Sequence, residues 1–203
     1  MLQGVENIIF DLGGVLVDLN RHRCIDAFEA IGAAKVAEYV RTHRTKDLFL
    51  DIELGRASVE EFCDEVRNMS GIKVDNALIV AAWNQLLGTI SAVRKQRLLA
   101  LRQTHRVFLL SNTNSMHWRF CEQLFCEDSH NVTDYFERVF LSYEMHMAKP
   151  SQQIFEEVVR EAAIDPAKTL FVDDSAENCK AAQQVGILPF VNTSFDRWLE
   201  ELV

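Results

Sequence analysis

Asn7-Ile8-Ile9-Phe10-Asp11-Leu12-Gly13-Gly14 is a short apolar run that stops on a carboxylate, a leucine and two glycines. A continuous run without polar alternation suits a strand covered on both faces, which is the setting of a parallel sheet. The same grammar recurs at residues 107–110, 139–141, 170–172 and 188–191, each followed by a stretch with apolar residues three and four apart. Residues 114–125, 151–163, 176–185 and 194–202 are the helices so predicted. Strands alternating with helices give an α/β fold with a doubly wound, Rossmann-like parallel sheet.

One interval breaks the alternation. After the strand at 7–10 the next convincing strand starts only at 107, far beyond the dozen or so residues that a single crossover needs. Residues 21–32, 34–42, 58–69 and 75–87 all carry helical periodicity, with a capping box at Ser58-Val59-Glu60-Glu61 and Asp75 as an N-cap. The expectation is therefore an inserted helical domain over residues 18–89, with residues 1–17 and 90–203 forming the α/β core. The basic stretch 41–46 inside the insertion reads as a solvated helix face.

Composition narrows the function. The chain has 203 residues, 48% of them hydrophobic, and 21 Lys and Arg against 30 Asp and Glu for a net charge of −9. Such a chain builds a real core, and its acidity argues against nucleic acid or an anionic membrane as partner, because those surfaces require clustered cations. No apolar stretch approaches the length of a membrane span. Five scattered cysteines form no paired framework and the opening residues carry no leader pattern, so a reducing cytoplasmic setting is expected. His117 with Cys121, and Cys126 with His130, have the spacing of ligands on one helix face, but they lack short Cys-x-x-Cys knuckles, so packing is the expected role.

In an open α/β sheet, ligands bind beyond the carboxyl ends of the strands. Those ends carry Asp11-Leu12-Gly13-Gly14, Ser111-Asn112-Thr113 and Asp173-Asp174, with Lys149-Pro150 before a helix. Taken singly, each could be a helix cap or a boundary; together they are the groups phosphoryl chemistry needs. A carboxylate, here Asp11, can attack phosphorus and form an aspartyl-phosphate. Ser111 and Asn112 offer a hydroxyl and backbone N–H groups to phosphoryl oxygens, and Lys149 adds the local cation that the acidic chain otherwise lacks. Asp11, Asp174 and a backbone carbonyl offer oxygen ligands of the kind Mg²⁺ prefers, with Asp173 a further ligand or an outer partner.

These segments resemble the four motifs of the haloacid dehalogenase superfamily, in the branch with a helical cap after the first strand. Ile9-Phe-Asp11-Leu-Gly-Gly-Val-Leu-Val-Asp18 is similar to the first motif and Leu109-Leu-Ser111-Asn112-Thr113-Asn114 to the second. Ala148-Lys149-Pro150 with Ile154-Phe155 resembles the third, and Phe171-Val-Asp173-Asp174-Ser-Ala-Glu-Asn178 the fourth. The resemblance implies a Mg²⁺-dependent phosphatase acting on a small phosphorylated molecule, with Asp11 as nucleophile, the Gly13 carbonyl and Asp174 on the metal, and Ser111, Asn112 and Lys149 on the phosphate. The loop Glu53-Leu54-Gly55-Arg56 looks like the one that closes over substrate in relatives.

The usual second aspartate of the first motif is replaced by Gly13. A backbone carbonyl survives that change; a proton shuttle does not, and its loss typically costs about 10²–10⁴ in rate. A good leaving group lowers the demand for protonation, and the Asp-Leu-Gly pattern resembles a bacterial subgroup that includes α-D-glucose-1-phosphate phosphatases. A hexose 1-phosphate is the substrate this suggests. The alternatives are a catalytically impaired binding protein and a 2-haloacid dehalogenase, which would leave Asp173-Asp174 unexplained. A phosphorelay receiver would carry its acidic pair after the first strand rather than the fourth. His22, His117 and His146 are the candidates for a replacement base.

Overall fold

The computed structural model describes residues 2–42, 48–126 and 129–202. Strand β1 (Asn7–Phe10) is followed by helices α1 (Arg21–Ala30), α2 (Ala34–Arg41), α3 (Leu48–Glu53), α4 (Val59–Ser70) and α5 (Asn76–Asn84). Then come α6 (Ala92–Arg102), β2 (Arg106–Ser111), α7 (Ser115–Phe125), α8 (Val132–Tyr135), β3 (Arg138–Leu141) and α9 (Ser142–Met145). The chain closes with α10 (Gln152–Ala162), β4 (Thr169–Asp173), α11 (Ala176–Gln184), β5 (Leu188–Val191) and α12 (Arg197–Glu201). The five strands pair in parallel in the order β3-β2-β1-β4-β5, with Phe10 level with Leu109 on one side and Val172 on the other.

Alternate residues of each central strand go to opposite faces, as the two-residue period requires. Ile8, Phe10, Val107, Leu109, Leu170 and Val172 join one core with α6, α7 and Trp198. Ile9, Phe108, Leu110 and Phe171 join the other with α10 and α11. This double cover is why the strands read as unbroken apolar runs. The order reverses at β1: β2 and β3 lie to one side and β4 to the other, so the carboxyl ends of β1 and β4 flank the switch point.

Helices α1 to α5 bury a separate apolar cluster in which Trp83 packs against Phe28, Phe49 and Phe62. The segments leaving and re-entering the sheet run side by side, with Asn20 N–H donating to Leu86 O at 2.7 Å and Gly88 N–H to Asp18 O at 2.7 Å. Ser58 and Glu61 close the expected capping box on α4. Asp75 stands at the N-cap of α5 as expected, although its side chain makes no capping bond. The helix at 48–53 was not foreseen: six residues are too few to show periodicity. In the basic stretch, Arg41 pairs with Glu29 and Glu38, whereas residues 43–46 lie outside the described residues.

His117 is buried and stacked on Trp83 and Cys121 lies in the core, so that pair serves packing. Cys126, by contrast, is exposed at the end of α7 and His130 lies in the loop beyond it, so the second pair shares no helix face, which corrects the expectation. No helix among the described residues is long and apolar enough to cross a membrane.

Candidate active site

Asp11 follows the last residue of β1, and its backbone N–H continues the ladder to Val172 O at 2.9 Å. Asp173 ends the neighbouring strand, so the two carboxylates are set side by side by parallel pairing alone. Between them lies Lys149, whose Nζ donates to Asp11 Oδ1 at 2.8 Å, Asp173 Oδ2 at 2.7 Å and Leu110 O at 3.0 Å. All three donor positions of the ammonium are thereby used, and it is fully enclosed.

Asn112 explains how a lysine from a loop is held so firmly. Its side-chain amide donates to Lys149 O at 2.8 Å and accepts from Lys149 N–H at 2.9 Å. The amide is therefore committed to the Lys149 main chain, and what Asn112 offers a ligand is its backbone. Ser111 is buried at the end of β2, its Oγ making only a 3.5 Å contact to Asn112 O. Thr113 N–H donates to Ser142 Oγ at 2.9 Å. Asn114, fully buried, caps α7 by accepting from the Met116 and His117 N–H groups.

Asp173 is saturated: Oδ1 accepts from Ser175 N–H and Asn178 Nδ2, and Oδ2 from Lys149 and the same Asn178 amide. Asp174 is exposed, beside Ser175, which caps α11 by accepting from Asn178 N–H at 3.3 Å. Oxygens of Asp11, Asp173 and Asp174 all lie within 4.8 Å of one another. Three carboxylates against one ammonium leave a net negative centre, and the protonation behaviour follows. Burial, opposed by Lys149 and reinforced by Asp173, raises the Asp11 carboxyl to about 7. Burial and the charge of Asp173 also raise Asp174. Burial works against the charge of Lys149, but Asp11 and Asp173 outweigh it and hold the ammonium above its usual range.

The donor set fits a hard dication: oxygen ligands and unrelieved negative charge in one small space. The fit extends to the backbone. Gly14 sits at φ +76°, and a Cβ there would lie 2.5 Å from Asp174 Oδ2, so the carboxylate reaches the turn only because residue 14 has no side chain. The turn is closed by Gly14 N–H to Val17 O and Val17 N–H to Leu12 O, bonds in which the Gly13 carbonyl takes no part. The space beside Gly13 is not open. A Cβ on residue 13 would meet both Leu19 methyls at 3.3 Å, and Leu19 is itself 48% exposed at the surface of the site.

The three histidines fare differently. His22 is exposed on α1, His117 is locked against Trp83 O, and the Nδ1 of His146 lies 2.9 Å from Leu54 O, where the segment after α3 meets the one after α9. Glu53, which carried no motif signal beyond lying in the loop 53–56, ends α3 at that same junction. Its main-chain carbonyl accepts from Ser142 Oγ at 2.7 Å.

Comparison with known proteins agrees with this geometry. A D-ribitol-5-phosphate phosphatase of Bacteroides thetaiotaomicron is 30% identical over 200 residues, spanning 98% of this chain and 97% of its own. A crystal structure of a HAD-family enzyme from the same organism superposes with a TM-score of 0.93 at 43% identity, covering 98% of this chain and 99% of that one. An aspartate-to-alanine variant of that enzyme, crystallised with magnesium and inorganic phosphate, gives 0.94 at 42% identity, covering 98% and 99% of the two chains. A HAD-like hydrolase of Porphyromonas gingivalis gives 0.89 at 34% identity, covering 98% of this chain and 96% of that one. With the family profile of the haloacid dehalogenase-like hydrolases matching residues 5–186, the chain belongs to that family.

Proposed function

We propose that the protein is a Mg²⁺-dependent phosphatase of small phosphomonoesters that works through an aspartyl-phosphate on Asp11. The observation that carries this reading is the Lys149 ammonium held between Asp11 and Asp173, with Asp174 alongside. Asp11, Asp174 and the Gly13 carbonyl would hold the ion, which when bound supplies charge neutralisation between the nucleophile and the phosphoryl group. Asp173, its oxygens already engaged, aims Lys149 rather than binding directly. Ser111 and the Asn112 backbone receive phosphoryl oxygens, and Lys149 balances their charge. Asp11 then attacks phosphorus in line with the departing ester oxygen, and water releases the phosphate in a second step. Residues 18–89 act as a cap over a core formed by residues 1–17 and 90–203, hinged where residues 18–20 and 86–89 pair.

The substrate class is a sugar or alditol phosphate. A hexose 1-phosphate, whose anomeric oxygen departs with little need of a proton, suits the side chain missing at Gly13, and an alditol 5-phosphate is suggested by the named relative. Phosphate release from a panel holding both, with and without Mg²⁺, tests the reading. Metal-dependent release that Asp11→Asn abolishes is the expected result, and metal-independent release or an active Asp11→Asn protein would overturn it.

A further inference from the structure

An alditol leaves as a primary alkoxide and has to collect a proton. Residue 13, a glycine, has no side chain to donate one, and the Leu19 methyls lie 3.3 Å from where its Cβ would stand. At the centre itself Asp173 is saturated with donors and Lys149 spends its protons on Asp11, Asp173 and Leu110 O. His117 is sealed in the core, His22 lies outside on α1, and His146 is engaged by Leu54 O. Among the acids near the cap–core seam, Asp51 faces Arg56 and Glu144 accepts from the Tyr143 hydroxyl at 3.0 Å.

Glu53 is different. Its main chain is pinned: Ser142 Oγ, fully buried, lies 2.7 Å from Glu53 O and receives the Thr113 N–H at 2.9 Å. Thr113 follows Ser111 and Asn112 directly, so one hydroxyl ties this cap residue to the loop that would hold the phosphoryl oxygens. The next turn is fixed as well. Gly55, at φ +64°, approaches the core so closely that a Cβ would fall 2.1 Å from Tyr143 O, which only glycine permits. Against this rigid frame the Glu53 carboxyl stands alone: among the described residues no hydrogen-bond donor or cation reaches it. Burial pushes it up to about 7, yet the residue is half-buried rather than sealed. A lone carboxyl, largely surrounded by protein and still reachable from solvent, is suited to give up and take back a proton near neutral pH.

We propose, on the phosphatase reading above, that Glu53 is the general acid and base of the reaction, delivered by the cap in place of the side chain absent at Gly13. As Asp11 bonds to phosphorus and the ester P–O bond breaks, the electron pair goes to the departing oxygen and the Glu53 proton joins it. Neutral alcohol, the aspartyl-phosphate and a Glu53 carboxylate remain. Water then attacks phosphorus and gives its proton to Glu53, the bond to Asp11 breaks with its pair returning to the carboxylate, and inorganic phosphate leaves. One water is consumed, and both carboxyl groups end as they began.

Leaving groups separate this role from a structural one. In a single turnover, rapid acid quench reads the rate at which Asp11 is phosphorylated by p-nitrophenyl phosphate, whose phenolate departs unprotonated, and by the alkyl phosphate that the wild-type protein turns over fastest. Glu53→Gln, nearly isosteric, is expected to slow the alkyl reaction about 10²–10⁴-fold and the nitrophenyl reaction less than about ten-fold. Glu53→Asp should recover part of the alkyl rate. Equal slowing of both substrates, or of neither, overturns the role of Glu53 while leaving the phosphatase reading in place. A wild-type protein that phosphorylates Asp11 from neither substrate overturns that reading, and this proposal with it.

Discussion

A methyl group on residue 14 would stand 2.5 Å from Asp174 Oδ2, in a backbone conformation that already disfavours any side chain. Gly14→Ala should therefore displace Asp174 without touching Asp11 or Lys149. Calorimetric titration is expected to show Mg²⁺ binding weakened about 10–100-fold, the range seen when the supports of a metal ligand are removed. An unchanged affinity would take Asp174 off the ion. His117 acts through stability instead. Burial holds its imidazole down at about 4 against 6.5 in the open chain, so between those values the unfolded chain binds a proton that the folded one does not. Its contribution is intact above pH 6.5 and declines as pH falls towards 4, by about 3 kcal/mol over the window. Urea midpoints measured across that range should fall less steeply for His117→Gln than for the wild-type protein; parallel curves would contradict the burial argument.

Among the elements, those that place the site are the ones most legible in the sequence. β1 and β4 are flanked by strands and covered on both faces, so their apolar runs end abruptly where the chain meets the site, and Asp11 and Asp173 mark those ends. Asp174 follows Asp173 directly and Ser111 ends β2, whereas Lys149 lies in the loop before α10 and was marked by its proline and the helix after it. Short elements hide: α3 spans Leu48–Glu53, too few residues to display a period, and α8 and α9 have four each. Glu53 carries no signal of its own in the sequence, because its position depends on a seam between segments 89 residues apart, joined by Ser142. Leu19 was equally invisible as the group that fills the space beside Gly13. Caps are mixed. Ser58 accepts from Glu61 N–H and the Glu61 carboxylate accepts from Ser58 N–H, so Ser58→Ala should lower the thermal unfolding free energy by about 1 kcal/mol. The same change at Asp75, whose side chain makes no capping bond, should do less.

For the molecule as a whole, with a net charge of −9, the buried Lys149 is the cation set among the carboxylates of Asp11, Asp173 and Asp174 where an anionic group would have to enter. The sheet order puts the two strands that carry Asp11 and Asp173 at the switch point, and the helices inserted after β1 bring the Glu53 main chain against Ser142, which follows β3. In the proposed mechanism, nucleophile, cation and acid come from the end of β1, the loop before α10 and the end of α3, three parts of the chain that only the complete fold assembles. Covalent capture of the intermediate tests that assembly most directly. Wild-type protein quenched in acid during turnover, with the acyl-phosphate reduced by borohydride and the digest read by mass spectrometry, should carry the modification at Asp11 and at no other carboxylate. Brisk turnover with Asp11 unmodified, or the label on Asp173 or Asp174, would contradict the account.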